Sequence, residues 1–81
     1  MSVAPVFFRR KRFLDAMEKA GITTDEKAVT IQEIIQRQEL FPDNLFHNST
    51  IRNRAVNIDV KFLSARGKLV KTADEKYYLK Q

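Results

Sequence analysis

Residues Ser49–Lys71 read STIRNRAVNIDVKFLSARGKLVK, and their pattern decides the fold. Asn48, Ser49 and Thr50 are residue types that open helices, because a short side-chain oxygen can accept from a free first-turn amide. At ~100° per residue, Ile51, Ala55, Ile58 and Phe62 fall in one narrow stripe, and Val56, Val60 and Leu63 in a second about a third of a turn away. Two stripes predict a helix covered on two sides, as the central helix of a small domain is. Arg52, Asp59 and Arg66 lie between them. Opposite, Asn53, Arg54, Asn57, Lys61 and Ser64 form a continuous polar face with no carboxylate. Gly67 supplies the left-handed residue that closes a helix. Leu69–Thr72 then alternates, 73–75 turns and Lys76–Lys80 alternates again, which predicts a hairpin with Leu69 or Val70 and Tyr77 or Leu79 inward. A lone hairpin is marginal in water, so it must pack on helices.

Working outward, a helical pattern runs from about Phe8 to Ala20, with Phe13, Leu14, Met17 and Ala20 on one face. Gly21 closes it, and Ile22 can fold back onto the last turn. Arg9, Arg10, Lys11 and Arg12 fall near its start, where the helix dipole disfavours cations. A phosphate contact would account for that placement, as would a merely solvated end. Ala28 and Val29 suit a very short strand. Thr30-Ile31-Gln32-Glu33 matches a capping box and opens a second helix, expected to reach Gln38 or Leu40 with Ile31, Ile34 and Ile35 buried. Pro42, Asp43 and Asn44 mark a turn. Leu40, Phe41, Leu45 and Phe46 around it either pack back on the core or form a patch for self-association or a protein partner. Residues 1–7 read as a loose arm and 8–81 as one domain.

The net charge of +5 is unevenly spread. Residues 1–12 carry +4, residues 13–47 carry −4, residues 48–71 carry +5, and the last ten cancel. Two basic segments flanking an acidic one point to a polyanionic partner. The chain has no cysteine, which removes disulfides and thiolate metal sites. His47 is the sole histidine, so a zinc site is not expected. Asn48-Ser49-Thr50 matches a glycosylation sequon, but nothing in the chain indicates secretion. The longest apolar run, Val3–Phe8 broken by Pro5, is too short to span a membrane.

The order helix, short strand, helix, helix, hairpin resembles the winged-helix DNA-binding superfamily over nearly all of residues 8–80. The likeness is greatest from Val56 to Lys71, VNIDVKFLSARGKLVK, which is similar to the family's recognition helix leading through glycine into an apolar strand. The resemblance implies an α+β fold of three helices with a C-terminal β-hairpin, and a third helix lying in the major groove of double-stranded DNA. By position, Asn53, Arg54, Asn57 and Lys61 would then face base edges, where Asn pairs with adenine and Arg with guanine. Thr50 and Arg52 would meet phosphates beside the helix amino end. Lys71 and Lys76 flank the hairpin tip and would touch the backbone or the minor groove, against the acidic Asp74 and Glu75. Arg9, Arg10 and Arg12 would add phosphate contacts.

The expected function is therefore sequence-specific DNA binding by a small cytoplasmic transcriptional regulator. The alternative is a protein-interaction module that modulates a larger nucleic-acid complex through Leu40, Phe41, Leu45 and Phe46. Attachment to an anionic membrane through VFFRRKRF ranks below both. No cofactor is expected. The chain offers no Ser–His–acid or Cys–His set and no glycine-rich phosphate loop, so an enzyme is not expected either.

Overall fold

The computed structural model describes residues 5–81. Three helices, α1 (Val6–Lys19), α2 (Ile31–Ile35) and α3 (Ser49–Ala65), precede a hairpin of β1 (Leu69–Lys71) and β2 (Tyr77–Leu79). This is the expected small α+β architecture. Helix α1 begins two residues before the expected Phe8, so Val6 and Phe7 belong to its first turn. The rest of the expected arm, residues 1–4, lies outside the described residues.

Both long helices close in the same way. Gly21 (φ 76°) and Gly67 (φ 78°) take the left-handed conformation that costs an L side chain free energy. Ile22 N–H then reaches the Met17 carbonyl and Lys68 N–H the Leu63 carbonyl, at 3.0 and 2.9 Å. Each closure folds an apolar residue, Ile22 or Leu69, into the core just after the helix ends.

Helix α2 opens with the expected capping box: Glu33 N–H donates to Thr30 Oγ1 at 3.1 Å, and Thr30 N–H donates to Glu33 Oε1 at 2.8 Å. It stops at Ile35, short of the expected Gln38 or Leu40. Burial explains the early stop. On a continued helix Leu40 would point about half a turn away from Ile31. Instead the chain turns through Arg37, and Leu40 and Phe41 both enter the core. There Phe41 packs on Phe13 (ring centroids 4.8 Å) and on Phe46 (6.2 Å).

The hairpin register pairs Leu69 with Leu79, Val70 with Tyr78 and Lys71 with Tyr77. Leu69 and Tyr77 are the inward residues. The short strand expected at Ala28–Val29 is a single antiparallel bridge, in which Val29 and Tyr77 exchange both backbone hydrogen bonds at 2.9 and 2.7 Å. A 3₁₀ turn at Asp25–Lys27 loops out beside it, so the third line of the sheet goes no further.

Candidate nucleic-acid interface

Helix α3 has one buried face, not two covered sides. Its core-facing residues are Arg52, Ala55, Val56, Asp59, Val60 and Leu63. Ile51, Ile58 and Phe62, expected to form a buried stripe, lie at or beyond its edge and are exposed, Ile58 by 50%. Of the charged residues between the two apolar stripes, Arg52 and Asp59 therefore sit on the midline of the buried face, and Arg66 is exposed just past the helix end.

Asp59 is fully buried and is the sole carboxylate of α3. Arg9 donates to it twice, Nε to Oδ2 at 2.6 Å and Nη2 to Oδ1 at 2.9 Å. Arg10 Nε donates to Oδ1 at 2.9 Å. The hydrogen bonds from Arg9 to Asp59, with the Coulombic attraction, raise the Arg9 pKa further above its ordinary value despite burial. Arg9 lies one turn before Phe13 and two before Met17, so it shares their buried stripe on α1. Its guanidinium also stands 5.8 Å from the Phe46 ring. The expectation that Arg9 and Arg10 meet phosphates is thus corrected: both guanidinium groups are turned onto Asp59 and tie α1 to α3.

Arg52 is corrected likewise. At 4% exposure its Nε donates to the Phe41 carbonyl at 2.7 Å and stands 3.2 Å from Asp43 Oδ1. It fastens the α2–α3 connection to the helix and cannot reach a phosphate. Arg12 is half-buried, in a recess with Asp15, Arg37 and Glu39 that no residue of α3 lines. Leu40, Phe41 and Phe46 are buried and Leu45 packs against the same core, so these four side chains form no exposed apolar patch.

What remains outward on α3 is a smaller and more mixed surface. Arg54, Ile58 and Lys61 are exposed and spaced i, i+4, i+7, one above the other. Thr50 is exposed one turn before Arg54. Asn53 and Asn57 are half-buried beside this line, and Asn57 Nδ2 donates to the Asn53 carbonyl at 3.1 Å. Asn57 and Lys61 open into a concavity of about 430 Å³ bounded by Thr30 and Gln32 at the start of α2 and by Lys71, Asp74 and Glu75 of the hairpin. The hairpin thus stands beside the α3 surface.

At the hairpin tip the charges largely cancel. Thr72 Oγ1 donates to Asp74 Oδ1 at 2.6 Å, which holds the Asp74 carboxyl below its ordinary value. Lys76 Nζ stands 3.9 Å from Asp74, whereas Lys71 is exposed on β1. Glu75 adopts φ 61° to complete the turn, with its amide donating to the Thr72 carbonyl at 3.1 Å.

Sequence reasoning missed Asp59 and Arg52 as core residues and Ile58 as a surface one. The signal was available in the spacing: a residue between two apolar stripes a third of a turn apart sits at the centre of one wide buried arc. Among the described residues no cluster of three or more His, Cys, Asp and Glu could hold a metal, and no helix is long and apolar enough to cross a membrane. No protein-family model matches the chain, and comparison with curated proteins and with solved structures found no match.

Proposed function

We propose that the chain is a winged-helix DNA-binding domain that sets α3 in the major groove and acts as a small transcriptional regulator. One observation carries this reading. The only carboxylate of α3 is buried and neutralised by Arg9 and Arg10, so the helix presents Thr50, Arg54, Ile58 and Lys61 to solvent with no acid among them. Arg54 suits the O6 and N7 acceptors of guanine, and Ile58 suits a thymine methyl. Asn53 and Asn57 serve neighbouring adenines at the edge of the surface. Lys61 and Lys71, on either side of the concavity, suit two phosphates.

With Arg9, Arg10 and Arg52 engaged inside the fold, phosphate contacts are few. A titration of the full chain against a duplex selected from a random pool, repeated over a salt series, tests the proposal. Two to four phosphate contacts give a log–log slope of roughly −2 to −4. Absence of binding at low salt, or binding without preference between selected and unselected duplexes, overturns it.

A further inference from the structure

A second surface lies next to the outward face of α3, on the side toward α1, and the DNA reading does not use it. Between α1 and the last turns of α3 runs a groove of about 560 Å³, with apolar walls of Val6, Phe7, Leu14, Phe62 and Leu63. Leu63 is buried at its floor, and Phe7 stands 81% exposed at its mouth. Phe62 is held between two guanidinium groups, Arg10 at 3.9 Å and Arg66 at 5.1 Å from its ring centroid. Lys11 and Lys68 complete the rim, and no carboxylate lines it. Arg10 is shared with Asp59 and Lys11 pairs with Asp15 at 3.4 Å, while Arg66 and Lys68 have no ion-pair partner among the described residues. At ~100° per residue, Phe62 and Arg66 lie about 40° and 80° round the helix from Ile58, so the groove borders the face that carries Arg54, Ile58 and Lys61.

We propose that this groove docks an acidic amphipathic helix of a partner protein. An apolar recess between two helices accepts side chains of a third helix at i, i+3, i+4 and i+7. The stretch from Val6 to Leu14 is about 12 Å long, which matches two turns or slightly more. The basic rim selects glutamate and aspartate on the flanks of the incoming helix. A second copy of this chain is disfavoured, because a symmetric contact would bring two such basic rims together. A bilayer is a poorer fit than a helix, since membrane-surface helices present a convex apolar face whereas this surface is recessed.

The test uses the full chain and a fluorescent peptide with leucines at i, i+3, i+4 and i+7 and glutamates between them. Its counterpart carries lysine for every glutamate. Anisotropy is expected to give a Kd on the order of 10 µM for the acidic peptide and binding at least about tenfold weaker for the lysine peptide. Phe7→Ser, and separately the pair Arg66→Glu and Lys68→Glu, are expected to weaken the acidic peptide about tenfold while leaving the circular dichroism spectrum unchanged. Equal affinity for both peptides, no acidic-peptide binding, or insensitivity to all these substitutions overturns the proposal. Phosphatidylserine vesicles and sedimentation serve as further arms. Vesicle binding or self-association lost with Phe7→Ser, in the absence of peptide binding, would assign the groove to a membrane or to a second copy instead.

Discussion

Arg9 and Asp59, fifty positions apart, form a two-point ion pair at 2.6 and 2.9 Å across the α1–α3 interface. The carboxylate is fully buried and also accepts from Arg10. Burying such a group is costly unless it is paired, and removing one partner leaves the others desolvated without compensation. Asp59→Asn keeps the side-chain shape and removes the charge. It is expected to destabilise the fold by about 3 kcal/mol in urea denaturation. Arg9→Met should also destabilise, because Arg10 reaches only Oδ1 and the buried Oδ2 loses its donor. A loss of under about 1 kcal/mol for Asp59→Asn would contradict a structural role for the pair.

Arg52 separates stability from binding. Its Nε satisfies the carbonyl of buried Phe41. Arg52→Met should therefore cost about 2 kcal/mol of stability through the unmet carbonyl. At temperatures where the variant is folded, the salt slope of DNA binding should not change. A slope reduced by about 0.9 would instead make Arg52 a phosphate ligand.

Arg54 and Lys61 are expected to behave differently from each other in the same assay. Arg54→Ala should cost about 1–3 kcal/mol of affinity and relax preference at one base pair. Lys61→Ala should weaken all duplexes alike and make the salt slope shallower by about 0.9. Selection of bound duplexes from a random pool with each variant distinguishes the two outcomes.

Glu33 makes the α2 capping box sensitive to acid. The Thr30 amide, donating to its carboxylate, holds the Glu33 pKa below the ordinary 4.5. A depressed folded-state pKa stabilises the fold above the unfolded value, and that contribution disappears as pH falls through the folded one. The capping box should thus be intact at neutral pH and lost progressively below about pH 4.5. Glu33→Gln can make the same box without titrating. Its midpoint in urea should fall less than that of the natural chain between pH 5 and pH 3, both pH values approximate.

Gly67 carries the link between α3 and the hairpin. No atom lies within 4 Å of a Cβ built there, so a side chain would meet only the backbone penalty of φ 78°. Gly67→Ala should lower stability by about 1–2 kcal/mol, and Gly67→Asn by less, as thermal melts would show.

The element order was legible because its signals are local. A capping box, two glycine closures and an alternation of period two each act within a few residues, and all of them appear where expected. Boundaries moved where distant contacts decided them: Leu40 could join the core only if α2 ended early. The candidate surface was less legible, since a charged residue among apolar ones reads as surface until its partner is known.

Asp59 and Arg9 show the division most clearly. The local pattern of Ser49–Lys71 was enough to specify a capped helix, its glycine stop and the hairpin that follows, because hydrogen bonds within a turn and side-chain periodicity need no other part of the chain. Which arginines are available to a polyanion was settled only by tertiary packing. A buried carboxylate draws its counter-charges from wherever the fold brings them, and here that is Arg9 and Arg10. Arg54 and Lys61 are exposed, and neither forms an ion pair among the described residues.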